Sequence, residues 1–168
     1  MLSIIVAAAE NFAIGKNNDL IWHISADLRR FKALTTGHTV VMGRRTFDSL
    51  PSKPLPKRRN IVLTHDLAFQ YPGVEVAHSV EEVLNCAKAD EELFVMGGAA
   101  IYRQLLPHAH KLYVTWVHAS YPDADVFFPP INQQEFRQIR STEPETDPNC
   151  GLVFHYADYE RMCRHPAM

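Results

Sequence analysis

The chain is 168 residues long, with 46% hydrophobic and 21% charged residues; one globular domain spanning 1–168 is expected, and a disordered tail or a fibre is excluded. Lys and Arg number 17 against 19 Asp and Glu, a net charge of −2, which excludes a bulk nucleic-acid or anionic-membrane binder but not a small anionic ligand held by a few arginines. Cys86, Cys150 and Cys163 form no Cys-x-x-Cys pair; they point to a reducing, cytoplasmic setting without a disulfide frame or zinc site.

Residues 1–9 (MLSIIVAAA) end in an Ala-x-Ala look-alike, but no basic residue precedes Leu2, and the run is far short of the roughly 18 residues of a membrane span. Residues 3–9 read instead as a first strand buried on both faces. Residues 10–24 are irregular, because Gly15, Asn17, Asn18 and Asp19 break any period; a loop of that length is usually functional. Ser25 can N-cap a helix over residues 26–35, with Gly37 just past its end. Residues 39–43 (TVVMG) are a second buried strand, and 44–50 a short helix stopped before Pro51. A stiff proline loop follows (52–57, SKPLPK), then strands IVLT and VEVA.

Ser79 and Glu82 predict a capping box for a helix to about residue 88. Residues 93–96 form another buried strand, entering Gly97-Gly98 and a helix over 99–106. His108 and His110 lie beside Pro107, and no metal is expected there. Residues 111–118 make a long strand, and 135–140 with 152–159 a hairpin. This order predicts a three-layer α/β fold: a mainly parallel twisted central sheet of about eight strands with an antiparallel C-terminal hairpin, flanked by about four helices.

One carboxylate is oddly placed. At about 100° per residue, with Asp27 at zero, Phe31 falls at about 40°, Leu28 at about 100° and Leu34 at about 340°, so Asp27 lies inside the apolar arc of its helix. It could be a first-turn acid favoured by the helix dipole. Trp22 and the long loop before it favour a second reading, a carboxylate in an apolar cleft that holds an amidine-like ligand by two hydrogen bonds. Burial would raise its pKa toward neutrality, which suits proton chemistry.

Two strand-to-helix turns suit phosphates. Gly43-Arg44-Arg45-Thr46 offers free backbone N–H groups, two cations and a hydroxyl. Met96-Gly97-Gly98-Ala99-Ala100 allows close backbone approach, though it is neither a Gly-x-Gly-x-x-Gly fingerprint nor a P-loop. Together they suggest a phosphate-bearing dinucleotide, and the arginines favour its 2′-phosphorylated form. Arg58, after Pro54-Leu55-Pro56, is a fixed guanidinium able to fork a carboxylate. Each basic turn could also be a solvated surface.

These segments, in this order, resemble bacterial dihydrofolate reductase over essentially the whole chain. The carrying pieces are Ile4 through Ala8, Ile14-Gly15 through Asn18, Trp22, Ala26-Asp27-Leu28 with Phe31-Lys32, Val41 through Arg44 with Thr46, Pro54-Leu55-Pro56 with Arg58 and Asn60, Met96 through Ala99, Ile101-Tyr102, Leu112 through Thr115, and Asp125 before Phe128-Pro129.

The resemblance implies a monomeric, NADPH-dependent oxidoreductase that passes hydride to C6 of dihydrofolate while N5 gains a proton, and that antifolates inhibit. It implies that Asp27 binds the pterin edge, with Thr115 supporting it and Trp22 ordering a water. Ile5, Val6, Ala7, Leu28, Phe31, Leu50, Met96 and Tyr102 would line the substrate pocket, with Lys32 at its margin. Arg58 would fork the α-carboxylate of the glutamate tail, with Lys53 nearby. Arg44, Arg45, Thr46, Leu63, Thr64, His65 and His78 would hold the adenosine end of NADPH. Gly43, Gly97 through Tyr102 (including Ala99, Ala100 and Ile101), Ala7, Ile14, Gly15, Asn18 and Leu20 would hold its pyrophosphate and nicotinamide side, with the Gly97-Gly98 bond cis.

Two positions depart from the family pattern, Ile21 and Ser25, where Pro is common; they bear on closure of the 10–24 loop. A reductase of riboflavin synthesis would share the nucleotide turns but lack the Asp27 and Arg58 pair. A non-catalytic binding module or a structural domain leaves the acid in the apolar arc unexplained.

Overall fold

The computed structural model describes residues 1–16, 19–88 and 90–163, without the side chains of residues 16, 19 and 20. In chain order the elements are β1 (Leu2–Ala9), β2 (Ala13–Lys16), β3 (Asp19–Leu20), α1 (Ser25–Thr35), β4 (Thr39–Gly43), α2 (Arg44–Ser49), β5 (Arg59–Leu63) and β6 (Val74–Ala77). Then come α3 (Val80–Asn85), β7 (Leu93–Val95), α4 (Ala99–Leu105) with a 3₁₀ turn at Leu106–His108, β8 (Lys111–Val117), β9 (Val126–Phe127), β10 (Phe136–Ser141), β11 (Glu145–Thr146) and β12 (Val153–Arg161).

The main sheet runs β10-β12-β8-β1-β7-β4-β5-β6, with β11 on β12. From β8 to β6 every neighbouring pair is parallel, and β12 is antiparallel to both β8 and β10. This is the mixed sheet expected from the sequence. Its apolar strands sort by the period of two. Val41, Ile61 and Val95 join Ile4, Val6, Leu112 and Val114 in one core cluster, while Val40, Met42, Val62 and Phe94 pack with Phe47 on the opposite face. Each such side chain contributes about 1.5–3 kcal/mol of burial. In β1 the exceptions are Ile5 and Ala7, half-buried on one face. The chain leaves β1 through α1 to β4, and β7 later fills the gap between them. Beside β1 the sheet therefore grows both ways, and the crevice at such a carboxyl end is where open α/β sheets take ligands.

Four local expectations need correction. Residues 10–24 are not all loop: β2 pairs with β3 and with the distant β9 in a small antiparallel sheet. Strands this short leave no periodicity to read. Ser25 is not the N-cap of α1; Ile24 takes that place without a side-chain bond. The buried Asp147 carboxylate serves the helix start instead, because it accepts from the Ser25 backbone as well as from the N–H groups of Asn149 (2.8 Å) and Cys150 (3.0 Å). Helix α3 stops at Asn85, short of residue 88. Glu91 takes the Lys88 N–H (3.0 Å), the Thr39 hydroxyl and Arg59, which pulls the chain out of the helix. In its cap, Ser79 Oγ accepts from the Glu82 N–H (3.1 Å), but the Glu82 carboxylate accepts from the His78 N–H (2.7 Å), one residue before the expected partner.

Candidate active site

Asp27 stands in the first turn of α1, facing β8. The Thr115 hydroxyl donates to its Oδ1 at 2.5 Å. Strand register sets Thr115 beside Ala7, so the carboxylate is fixed over the centre of the sheet. Burial pushes the Asp27 carboxyl above the usual carboxylate range, while the Thr115 hydrogen bond and the charge of Arg30 pull the other way. The result is a carboxyl poised for proton chemistry.

The walls follow from the two periodicities. Ile5, Phe31, Leu50 and Met96 are half-buried and pack against the same core cluster, that of Val40, Met42 and Phe94. Ala7 packs against the cluster that holds the buried Trp22, whose ring lies 5.6 Å from that of Tyr121. Leu28 is 54% exposed, so the apolar arc of α1 borders an open cleft and not a closed core. Val6 points the opposite way from Ile5 and Ala7, into the other core cluster, so its side chain does not line the cleft. Tyr102 is buried, and its hydroxyl donates to the Ile5 carbonyl at 2.9 Å; burial raises its pKa further. It thus braces β1 from beneath.

Arg58 is held as a proline-stiffened loop should hold it. Its Nε donates to the Pro56 carbonyl (3.0 Å) and its Nη1 to the Thr35 hydroxyl (3.1 Å), with the Phe31 ring at 5.8 Å. Burial lowers its pKa, but a guanidinium stays charged. The loop is stapled by the buried Asn60, which accepts from the Leu55 N–H and donates to the Leu55 and Arg58 carbonyls. Lys53 is held elsewhere, donating to the Asp48 carbonyl (2.8 Å) at the end of α2, and Lys32 is exposed. Neither joins Arg58 through a direct bond.

The two glycine turns form one surface. The Gly43 N–H donates to the Gly97 carbonyl at 2.8 Å. A Cβ on Gly43 would sit 2.9 Å from Ile101 Cγ1, so glycine is required where α4 approaches. The Gly97-Gly98 bond is cis, and a Cβ on Gly98 would lie 3.5 Å from the Thr46 hydroxyl. Bare backbone, the first-turn N–H groups of Ala99 and Ala100, and that hydroxyl meet here. Such a cradle fits a pyrophosphate.

The expected adenosine side is more open. Arg44 is paired with Asp48 (3.1 Å) and Asp66 (3.6 Å) and lies 4.2 Å from the Phe69 ring. Arg45 and His65 are exposed. Leu63 ends β5, and His78 Nδ1 lies 2.8 Å from the Thr64 carbonyl, so that nitrogen carries the proton. On the loop side, Ile14 and Gly15 are buried, and Gly15 pairs with Leu20 and Val126. Asn18 and the Leu20 side chain lie outside the described residues.

One charged pair escaped the sequence reading. Arg30 Nη2 lies 2.8 Å from Asp158 Oδ1, and its guanidinium sits 4.1 Å from the Tyr156 ring centre. Their separation along the chain left no signal, since Asp158 reaches α1 only through the β8–β12 pairing.

A parallel-centred sheet with a half-buried carboxylate, an anchored arginine and paired glycine turns at one crevice defines a class: an enzyme that sets a phosphate-bearing nucleotide against a small polar substrate. The profile of the dihydrofolate reductase family matches residues 1–161, and the chain belongs to that family. The dihydrofolate reductase of Bacillus subtilis is 38% identical over 161 residues, covering 96% of this chain and 95% of its own length. That of Neisseria meningitidis serogroup A is 44% identical over 160 residues, with 95% and 98% covered. The structure of dihydrofolate reductase from Enterococcus faecalis complexed with NADP(H) and RAB-propyl matches with a TM-score of 0.86 at 36% identity, covering 96% of each chain.

Proposed function

We propose that the protein reduces 7,8-dihydrofolate to 5,6,7,8-tetrahydrofolate with NADPH, and so supplies one-carbon metabolism and thymidylate and purine synthesis. NADPH, when bound, supplies the hydride that reaches C6. Asp27 binds the 2-amino and N3 edge of the pterin by two hydrogen bonds, with Thr115 fixing the carboxylate that makes them. It draws a proton toward N5, directly or through a water ordered by Trp22. Ile5, Ala7, Phe31, Leu50 and Met96 exclude bulk water around the ring, and Arg58 forks the tail carboxylate. Thr46 with Gly97 through Ala100 cradles the pyrophosphate, and Arg44 and Arg45 attract the 2′-phosphate. Holding the two ring systems at contact distance supplies much of the rate.

The observation that carries this reading is the half-buried Asp27 carboxylate bonded to the buried Thr115 at the crevice beside β1. The same cleft would admit antifolates, which present an amidine-like edge to Asp27. The free cysteines, Cys86, Cys150 and Cys163, support a reducing, cytoplasmic setting, in which the chain works as a one-domain monomer. No helix of the described residues is long and apolar enough to cross a membrane. The test is Asp27→Asn. Turnover at neutral pH is expected to fall by about 10²-fold or more, with NADPH binding, followed by fluorescence, near normal. Full turnover, or loss of NADPH binding, would contradict the placement of Asp27.

A further inference from the structure

Asp27 and Arg30 are three residues apart on α1, so their side chains stand one above the other on the same helix face. Beneath them Thr115 of β8 and Tyr156 of β12 are register partners. Asp27 bonds to Thr115, and Arg30 lies over the Tyr156 ring at 4.1 Å. Two residues further along β12, on the same face, Asp158 holds the guanidinium at 2.8 Å. The two side chains are only 18% and 13% exposed, so this pair is largely out of water, where a fixed charge is weakly screened.

We propose that Arg30, locked by Asp158 and the Tyr156 ring on the same face of α1 as Asp27, is a positioning residue that acts through Asp27 and tunes the pH range of the reduction. The proposal rests on the role given to Asp27 above.

Other groups face this corner from each neighbouring element. From α1, Arg29 is exposed but acts on Tyr156, and Lys32 is exposed. From β8 come Thr115 and Tyr113, whose hydroxyl donates to Glu92 at 3.1 Å. From β12 come Tyr156 and Asp158, from α4 the buried Tyr102, and from β11 Glu145, which acts on Tyr156. From β1 come only Ile5 and Ala7, which are uncharged. Among these described groups Arg30 is the cation that bears on Asp27. Burial favours the neutral acid, and the Thr115 hydrogen bond and then Arg30 oppose it, so their balance decides where the carboxyl changes charge.

The signs follow. The reaction takes up a proton, so its rate declines as pH rises through the titration of Asp27. Without Arg30, the carboxyl keeps its proton to higher pH, and the decline moves up. Without the Asp158 charge, Arg30 acts on Asp27 unopposed, and the decline moves down. The experiment is the pH profile of single-turnover NADPH oxidation in four variants of the full chain. Arg30→Met is expected to move the decline upward by about one pH unit. Asp158→Asn should move it downward, and Arg30→Lys, which keeps the charge, should restore the wild-type position. A purely structural role would lower rates without opposite displacements.

An unmoved decline in folded Arg30→Met, or displacement in the same direction by both single variants, overturns the proposal. Should Arg30→Met not fold, the direction in Asp158→Asn decides. Asp27→Asn separates the two readings. If the decline persists in that variant, the Asp27 assignment itself fails. If it vanishes there yet Arg30→Met matches the wild type, only the role of Arg30 fails.

Discussion

The Asp27 end and the Arg44 end of the cleft are built in opposite ways. At Asp27 the polar groups are met inside the protein. Thr115 bonds the carboxylate, the Thr35 hydroxyl and the Pro56 carbonyl fix Arg58, and Asn60 staples its loop. At the other end Arg45 and His65 stand in solvent, and Arg44 leans on Asp48 and Asp66, both more than half exposed. A carboxylate that must sit at one angle to a ring needs preorganisation. A phosphate has several equivalent oxygens and tolerates mobile cations. The chain gathers its internal hydrogen bonds at the Asp27 end and leaves the Arg44 end, where the proposed reading puts the far phosphate, to exposed charge.

Two substitutions sharpen this contrast. Arg58→Leu removes the fixed fork, and hydrogen bonds to charged groups contribute about 1.5–3 kcal/mol. The KM for dihydrofolate should rise by about tenfold or more, with a smaller change in kcat, in steady-state assays. An unchanged KM would move the tail to another cation. Arg44→Gln should do less, because its acids already compete for that guanidinium. NADPH affinity is expected to fall by about threefold to tenfold, and the preference over NADH by a similar factor. Added salt should weaken NADPH binding to the wild type more than dihydrofolate binding, since exposed charges are screened and buried ones less so. Equal salt effects, or equal use of NADH, would erase the difference between the two ends.

The sequence was most informative where one residue acts through its own element. The continuous apolar runs of β1 and β4 told their burial on both faces. The helical arc of α1 placed Asp27 on the cleft side, and two glycines after β7 marked the second turn. It was silent where a partner comes from far along the chain. The Ser25 backbone at the start of α1 is bonded by Asp147, and the charge beside Asp27 is anchored by Asp158. The small sheet of β2, β3 and β9 joins segments that carry no strand period of their own. Val6 shows a different limit: its neighbours Ile5 and Ala7 face the cleft, and strand alternation turns Val6 away. Resemblance named all three as a block, where the period of two separates them.

The most direct test of the account is the absorbance of NADPH mixed with the purified, folded protein, with and without dihydrofolate. NADPH is expected to be consumed only when dihydrofolate is present, one equivalent for each tetrahydrofolate formed. No oxidation by protein that is folded and binds NADPH would contradict the claim that this cleft reduces dihydrofolate.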